Sequence, residues 1–455
     1  MVKSVDTYAA DISFRLQLSG MLIYASTHSS RLEYALAVLF QHLLSIEYTF
    51  TTDFLFYQSH PGPKMHYGER RLPDDLFFLQ AKNLLFESEI RPLEPKVMEL
   101  DGRPALFPVD SESDYPFDLL AMCFYSLSRY EEYLEFEADR YGRFPASQSI
   151  AYRHGFLERP ILNEWAGHFG ERLQQYWPDL KLPNRPFHFH LTFDIDMAWA
   201  YLYRPWWRLL RGGVAQLLRG RWDSLTERIQ VLRGKSKDPF YIFDYLDEIQ
   251  DKYGLDTLYF WLLGDPSKYD QNADVQNPKF RALIQSVAER YPVGIHPSFQ
   301  SNSVPGQLEK EIGRLVEITE KEVKQSRQHF LMLDLPVTYR RLINLGITDD
   351  HSMGYADQVG YRAGIASPFP WYDLPKEQRT DLAIHPFAAM DVTLNFYLKL
   401  PPEQALQRVR KMIHDVKTYG GTFTLLWHNS SFVPHIGWEN WPSVFEGILE
   451  SVVEP

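Results

Sequence analysis

The chain has a single cysteine, Cys123, in 455 residues. One thiol excludes an internal disulfide and a cysteine-based zinc site. No apolar run reaches the ~18–20 residues of a membrane-spanning helix. The opening, Met1-Val-Lys-Ser-Val-Asp6, lacks the apolar core of a secretory leader. No repeat of about 20–50 residues and no low-complexity tract is present. Positive charge is short as well, since 47 Lys and Arg against 59 Asp and Glu leave a net charge of −12. No broad basic field is available, so nucleic acid and anionic membranes are poor partners. These absences lead us to expect a soluble, cytoplasmic protein. The longest basic neighbourhood, Arg204 to Arg221, is studded with Trp and Leu. It reads either as a local anion- or membrane-facing patch or as an amphipathic surface helix.

What is present is the material of a packed globular protein. Hydrophobic residues make up 45% and charged residues 23%, too apolar for disorder. Aromatics reach 15%, enough to fill cores and also to line clefts that stack on sugars or bases. At roughly 100–200 residues per domain, the length implies two or three domains. The clearest boundary is Pro178-Asp-Leu-Lys-Leu-Pro183-Asn-Arg-Pro186, because proline breaks both helix and ladder. The expected division is 1–182 and 183–455.

The first part reads as a small α/β unit. A strand is expected at Met21–Ala25, then a helix capped by Ser29 or Ser30 with Leu32, Leu36, Leu39, Phe40 and Leu43 on one stripe. β-prone stretches follow at Ile46–Phe50 and Phe54–Tyr57, and helices at Pro116–Leu134 and Leu162–Trp177. Asp139–Pro145 reads as an ordered loop, with Gly142 at a turn. The second part alternates strand and helix, with strands at Phe187–Phe193, Thr257–Leu263, Val293–His296, Ala363–Ala366, Leu382–His385 and Thr422–Trp427. Such alternation implies parallel βα units, and six or seven of them can close into a barrel. In barrels and open sheets alike, chemistry sits at the carboxyl ends of strands.

Polar residues do collect at those ends. Asp194 and Asp196 end the first strand of the second part, and side chains two apart share a face. Neighbouring carboxylates repel unless a cation or proton lies between them, so one can be a metal ligand and the other a base. An Asx turn with a helix cap is the plainer alternative. His296 ends another strand as a normal imidazole ligand. Arg327 and His329 flank Gln328. The arginine can hold a carboxylate ionised and the histidine can reach the metal, or the two form a surface ion pair. His428 ends the last strand, as a general acid or oxyanion stabiliser. His385 is a second candidate of that kind.

In this order the motifs resemble the polysaccharide deacetylase (NodB-like carbohydrate esterase) superfamily, over about Phe187 to Val453. Thr192-Phe-Asp-Ile-Asp196 is similar to that family's first motif, His296-Pro-Ser to its second, Arg327-Gln-His-Phe330 to its arginine motif, and Leu425-Leu-Trp-His428 to its last. Ser128-Arg-Tyr-Glu-Glu-Tyr133 and Gly155-Phe-Leu-Glu-Arg-Pro160 resemble an uncharacterised N-terminal domain found in a bacterial subgroup. The resemblance implies a distorted (β/α) barrel of NodB type preceded by a smaller α/β domain. It implies a hydrolase that removes acetyl groups from an N-acetylated sugar or polysaccharide, with a divalent metal, zinc by preference. The catalytic residues it implies are Asp194, His428 and Arg327, and the metal ligands are Asp196, His296 and His329. The family's second motif carries another histidine where this chain has Gln300, and His329 is the expected substitute. Two other readings stay open: a catalytically impaired carbohydrate-binding or assembly protein on the same barrel, and a hydrolase of a non-sugar amide.

Overall fold

The computed structural model describes residues 20–110, 112–204, 206–218, 220, 222–433 and 437–453. The leader expectation rests on residues 1–6, outside the described residues, and so do parts of the basic stretch, residues 205, 219 and 221. Among the described residues no helix is long and apolar enough to cross a membrane.

The first part holds a four-stranded parallel sheet of β1 (Met21–Tyr24), β2 (Tyr48–Thr51), β3 (Lys64–Gly68) and β4 (Phe78–Gln80), in the order β2-β1-β3-β4. Ser29 caps the helix Ser30–Leu36 by accepting the Leu32 N–H at 3.0 Å. The helix continues as a π-helical turn over Ala37–Leu43, and the expected stripe of Leu32, Leu36, Leu39, Phe40 and Leu43 is buried. A hairpin of β5 (Val97–Leu100) and β6 (Arg103–Leu106) follows.

The second part is organised on one sheet of nine strands: β7 (Phe187–Ile195), β8 (Asp256–Trp261), β9 (Val293–Ile295), β10 (Gln325–Ser326), β11 (Asp349–Asp350), β12 (Phe369–Asp373), β13 (Gln378–Ile384), β14 (Ala389–Met390) and β15 (Gly421–His428). Their order is β12-β13-β11-β10-β9-β8-β7-β15-β14. All neighbours are parallel except β12 and β13. The ladders run from β12 to β14, and among the described residues none joins those two outer strands. β7 lies near the middle because its last five positions are buried on both faces. Proline 178 to proline 186 carries no helix or strand.

Three expected elements differ. Phe54–Ser59 is a helix, because the Asp53 carboxylate accepts the N–H groups of Leu55 and Phe56 at 2.9 and 3.1 Å. Ala363–Ala366 is a turn: Gly364 sits at φ +69° and its N–H returns to Tyr361 O at 2.9 Å. The helix expected over Pro116–Leu134 is confined to Leu119–Leu127, capped by Asp118. Arg129 then enters the left-handed region at φ 54° and a short 3₁₀ turn, Tyr130–Tyr133, follows.

That turn joins the two parts. One hydrophobic cluster runs through both sheets, and buried charges lie within their contact. Glu132 accepts from Arg362 Nε and Nη2 at 2.8 and 2.6 Å and from Arg129 Nε at 2.7 Å. Arg129 also donates to Glu131 and to Tyr355 Oη. Asn163 donates to Gly420 O at 2.8 Å and accepts from the Ala366 N–H at 2.9 Å. Burial opposes ionisation of Glu132, yet the two guanidiniums outweigh it and hold its carboxyl down at about 2. We therefore expect Glu132→Ala to cost about 3–5 kcal/mol, since it leaves two buried cations without their shared anion. The pH sign follows from the depressed value. The contribution of Glu132 is complete above its ordinary 4.5 and is lost as pH falls toward about 2. Urea denaturation of both chains across that interval checks it, because the difference between them should shrink with falling pH.

Candidate active site

The carboxyl ends of β7, β9, β10, β14 and β15 open into one cleft of about 290 Å³. The parallel register puts Asp194 beside His428 across β7 and β15. Ile195 points to the opposite face and is fully buried, leaving Asp194 and Asp196 on the cleft side.

Two imidazoles face Asp196. His296 directs Nδ1 at the Arg327 carbonyl, 2.6 Å away. A carbonyl only accepts, so Nδ1 carries the proton and Nε2 turns toward the carboxylates, 3.3 Å from Asp196 Oδ1 and 3.7 Å from Asp194 Oδ2. His329 is set the same way: its Nδ1 meets Asp270 Oδ1 at 2.9 Å, and its Nε2 lies 3.7 Å from Asp196 Oδ1. The donor atoms of Asp196, His296 and His329 all lie within 4.8 Å of one another. Asp196 Oδ1 is buried without a hydrogen-bond partner. Two imidazole nitrogens anchored from behind, converging with an unsatisfied carboxylate oxygen, fit a divalent ion of the zinc kind. Burial raises the Asp196 pKa, but His329, His296 and His428 outweigh it and hold the carboxyl below the usual range.

Asp194 sits on the other side of this group, 3% exposed. Arg327 Nη1 donates to its Oδ1 at 3.0 Å and to Thr192 Oγ1 at 2.8 Å. Across the cleft, His428 Nδ1 meets Asp391 Oδ1 at 2.8 Å, and the His428 backbone N–H donates to Asp391 Oδ2 at 2.7 Å. Burial disfavours the imidazolium, yet Asp391, with Asp196 and Asp194 beyond it, pushes the His428 pKa up to about 10. The shift favours the charged imidazole.

All six expected site residues therefore line the cleft or, for Arg327, hold a residue that does. Gln300 does not line it. Its backbone N–H points at Asp270 Oδ2, 3.4 Å away, in the loop that supports His329. His385 is also elsewhere, bonded to Asp349 Oδ1 at 2.8 Å and stacked on His351. Three residues escaped the sequence reading. Asp391 follows β14, and the strand-end rule would have found it had a two-residue strand been visible. Asp270 lies in a loop with no periodic signal. Arg143 comes from the first part of the chain. It is held by Asp139 at 2.8 Å, lies over the Tyr141 ring at 4.9 Å, and donates to the Phe330 carbonyl at the rim of the cleft. Phe330 and Leu331 both have positive φ, 58° and 53°, a costly conformation for such side chains. The bond from Arg143 is one of the contacts that hold this turn directly after His329.

Residues 21–178 match the model of a family described as being of unknown function (DUF7033). No curated protein sequence matches the chain. Among solved structures the chain is similar to a protein from Mycobacterium smegmatis described as a polysaccharide deacetylase, at 14% identity and a TM-score of 0.39, over 60% of this chain and 86% of that one. It is similar to a polysaccharide deacetylase from Bacillus cereus at 12% identity and a TM-score of 0.29, over 59% and 87%. A third similar structure is a mutant of a CE4 family pseudoenzyme with restored enzymatic activity, at 14% identity and a TM-score of 0.27, over 59% and 64%. The functional reading rests on the residues of the cleft.

The pairing of His428 with Asp391 has a direct test. Asp391→Asn removes the charge that stabilises the imidazolium, so the His428 titration should fall from about 10 toward the ordinary ~6.5. Imidazole chemical shifts followed against pH in chelated protein measure this. An unmoved midpoint would show that Asp391 is not the source of the shift.

Proposed function

We propose that the second part of the chain is a metal-dependent hydrolase that removes acetyl groups from an N-acetylated sugar or polysaccharide. The supporting observation is the placement of an anchored Asp196–His296–His329 group between the Arg327-held Asp194 and the Asp391-held His428. We take 183–455 as the catalytic domain, a distorted barrel of deacetylase type, and 1–182 as an N-terminal α/β domain.

Asp196, His296 and His329 would hold the ion, and a divalent metal such as zinc supplies Lewis acidity that polarises a carbonyl and makes water more acidic. The protein's own residues divide the proton work. Asp194 takes a proton from the attacking water at Oδ2, while its Oδ1 stays bonded to Arg327. His428 gives a proton to the departing amine nitrogen, and Asp391 stabilises the charged form until then. The products are acetate and a free amino sugar. The carbon–nitrogen bond breaks, and water supplies the oxygen.

Two predictions separate holding the ion from moving protons. Asp196→Ala and His296→Ala should abolish metal retention, and His329→Ala should weaken it. Asp270→Asn should lower zinc affinity about 10–100-fold by releasing the His329 ring. Elemental analysis and competitive chelation read these outcomes, and unchanged affinity in both the His329 and Asp270 variants would place the third ligand elsewhere.

Asp194→Asn should keep metal but lose about 10²–10⁴-fold in acetate release from chitin or peptidoglycan fragments, and should lower the melting temperature, because the buried Arg327 loses its paired charge. Equal turnover would remove Asp194 as the base. A metal-loaded wild type with no turnover on any acetylated sugar would favour the second reading, a carbohydrate-binding protein on the same scaffold.

A further inference from the structure

Between β7 and β8 the chain leaves the sheet as a long arm with two helices, Trp206–Leu218 and Trp222–Leu232. Its two ends are pinned side by side. Asn429 Nδ2 donates to Met197 O and to Phe240 O, at 2.9 Å each. Asp238 closes the base by accepting the N–H groups of Ala200, Tyr201 and Leu202 at 2.7, 2.8 and 3.0 Å. Asn429 follows His428 and Met197 follows Asp196, so the arm rises from the rim of the candidate active site.

A surface helix normally turns its apolar stripe to the core. Here the stripes face outward. Leu210, Val214, Leu217 and Leu218 share one face of the first helix, and all are exposed, Leu218 at 80%. Trp222, Ile229 and Leu232 share a face of the second and are exposed too, Trp222 at 61%. Nowhere else among the described residues does a stretch of this length expose as many large apolar side chains. The helices meet through polar contacts, Arg228 to Gln216 Oε1 at 2.7 Å and to Leu209 O at 3.2 Å.

Charge separates the arm from the rest of the molecule. Residues 204–237 contain nine Lys and Arg against two Asp and Glu, a net of +7 within a chain whose total is −12. A second copy of the chain laid on this face would set +7 against +7, and like charges across an interface are costly. An anionic bilayer satisfies both features. The apolar side chains enter the boundary between headgroups and acyl chains, and the cations meet lipid phosphates.

We propose that this arm docks the protein on an anionic lipid bilayer and holds the cleft at the membrane surface. The proposal is independent of the chemistry in the cleft. The test is flotation of the full chain with phosphatidylcholine vesicles and with vesicles in which about a third of the lipid is phosphatidylglycerol. Binding should need the anionic lipid and weaken with salt. Leu217→Ser with Leu218→Ser, and separately Arg211→Glu with Arg233→Glu, should each reduce binding about tenfold or more. These side chains are exposed, so the melting temperature should not move. Failure of the wild type to float with anionic vesicles at low salt would overturn the proposal, as would equal binding by the variants. A concentration-dependent dimer that the leucine variant abolishes, with no vesicle binding, would assign the face to a second copy instead.

Discussion

Arg327 has no exposed surface, and its Nε and Nη1 are bonded to groups drawn from several strands, while its Nη2 has no hydrogen-bond partner. It donates to Asp194 and Thr192 at the end of β7 and to the His351 carbonyl beyond β11. It lies 4.6 Å from the Phe260 ring centroid on β8. Its own carbonyl holds the His296 ring after β9. A buried guanidinium costs several kcal/mol unless such partners are present, so the strands must meet in the register that brings them together. That one constraint orients Asp194 and sets the tautomer of His296. The carboxylate and the imidazole are coupled through one side chain and its carbonyl, and neither has to be positioned by loop packing.

The contact between the two parts of the chain carries a similar requirement. Glu132 and Arg362 are buried across it, and each is the counter-charge of the other. The loop Asp139–Phe144 reaches from the first part to the rim of the cleft, where Tyr141 meets the edges of Tyr269, Phe299 and Phe330. The first part therefore supplies a wall of the site as well as covering the sheet. Arg143 braces the turn that follows His329, so the geometry of a candidate ligand depends on a residue nearly two hundred positions earlier in the chain.

Charge is divided between the surface and the cleft according to burial. The acidic excess lies away from the arm, while the arm concentrates cations beside apolar groups. In the cleft, carboxylates and imidazoles alternate: Asp270–His329, Asp196–His296 and Asp391–His428. Asp270 and Asp391 hold the rings they face, whereas the His296 ring is held by the Arg327 carbonyl and turns its Nε2 toward Asp196.

Much of the site was legible in the sequence because strand periodicity is local. A run that ends in Thr-Phe-Asp-Ile-Asp presents two carboxylates on one face wherever it packs, and His296 and His428 sit at strand ends that apolar runs announce. The helix stripe from Leu32 to Leu43 was legible because helical periodicity is local too. What only the tertiary structure decided were contacts without a local signature. Asp270, Asp391 and Arg143 reach the site through loops or a two-residue strand, where neither period 2 nor period 3.6 has room to repeat. Ala363–Ala366 has the composition of a strand, but Gly360 and Gly364 fold the chain against Leu157 and Ile161, a contact with no local signature. The arm's stripes were visible as an amphipathic pattern that left a surface helix and a membrane-facing patch both open, and only the tertiary structure shows that these side chains are exposed among the described residues.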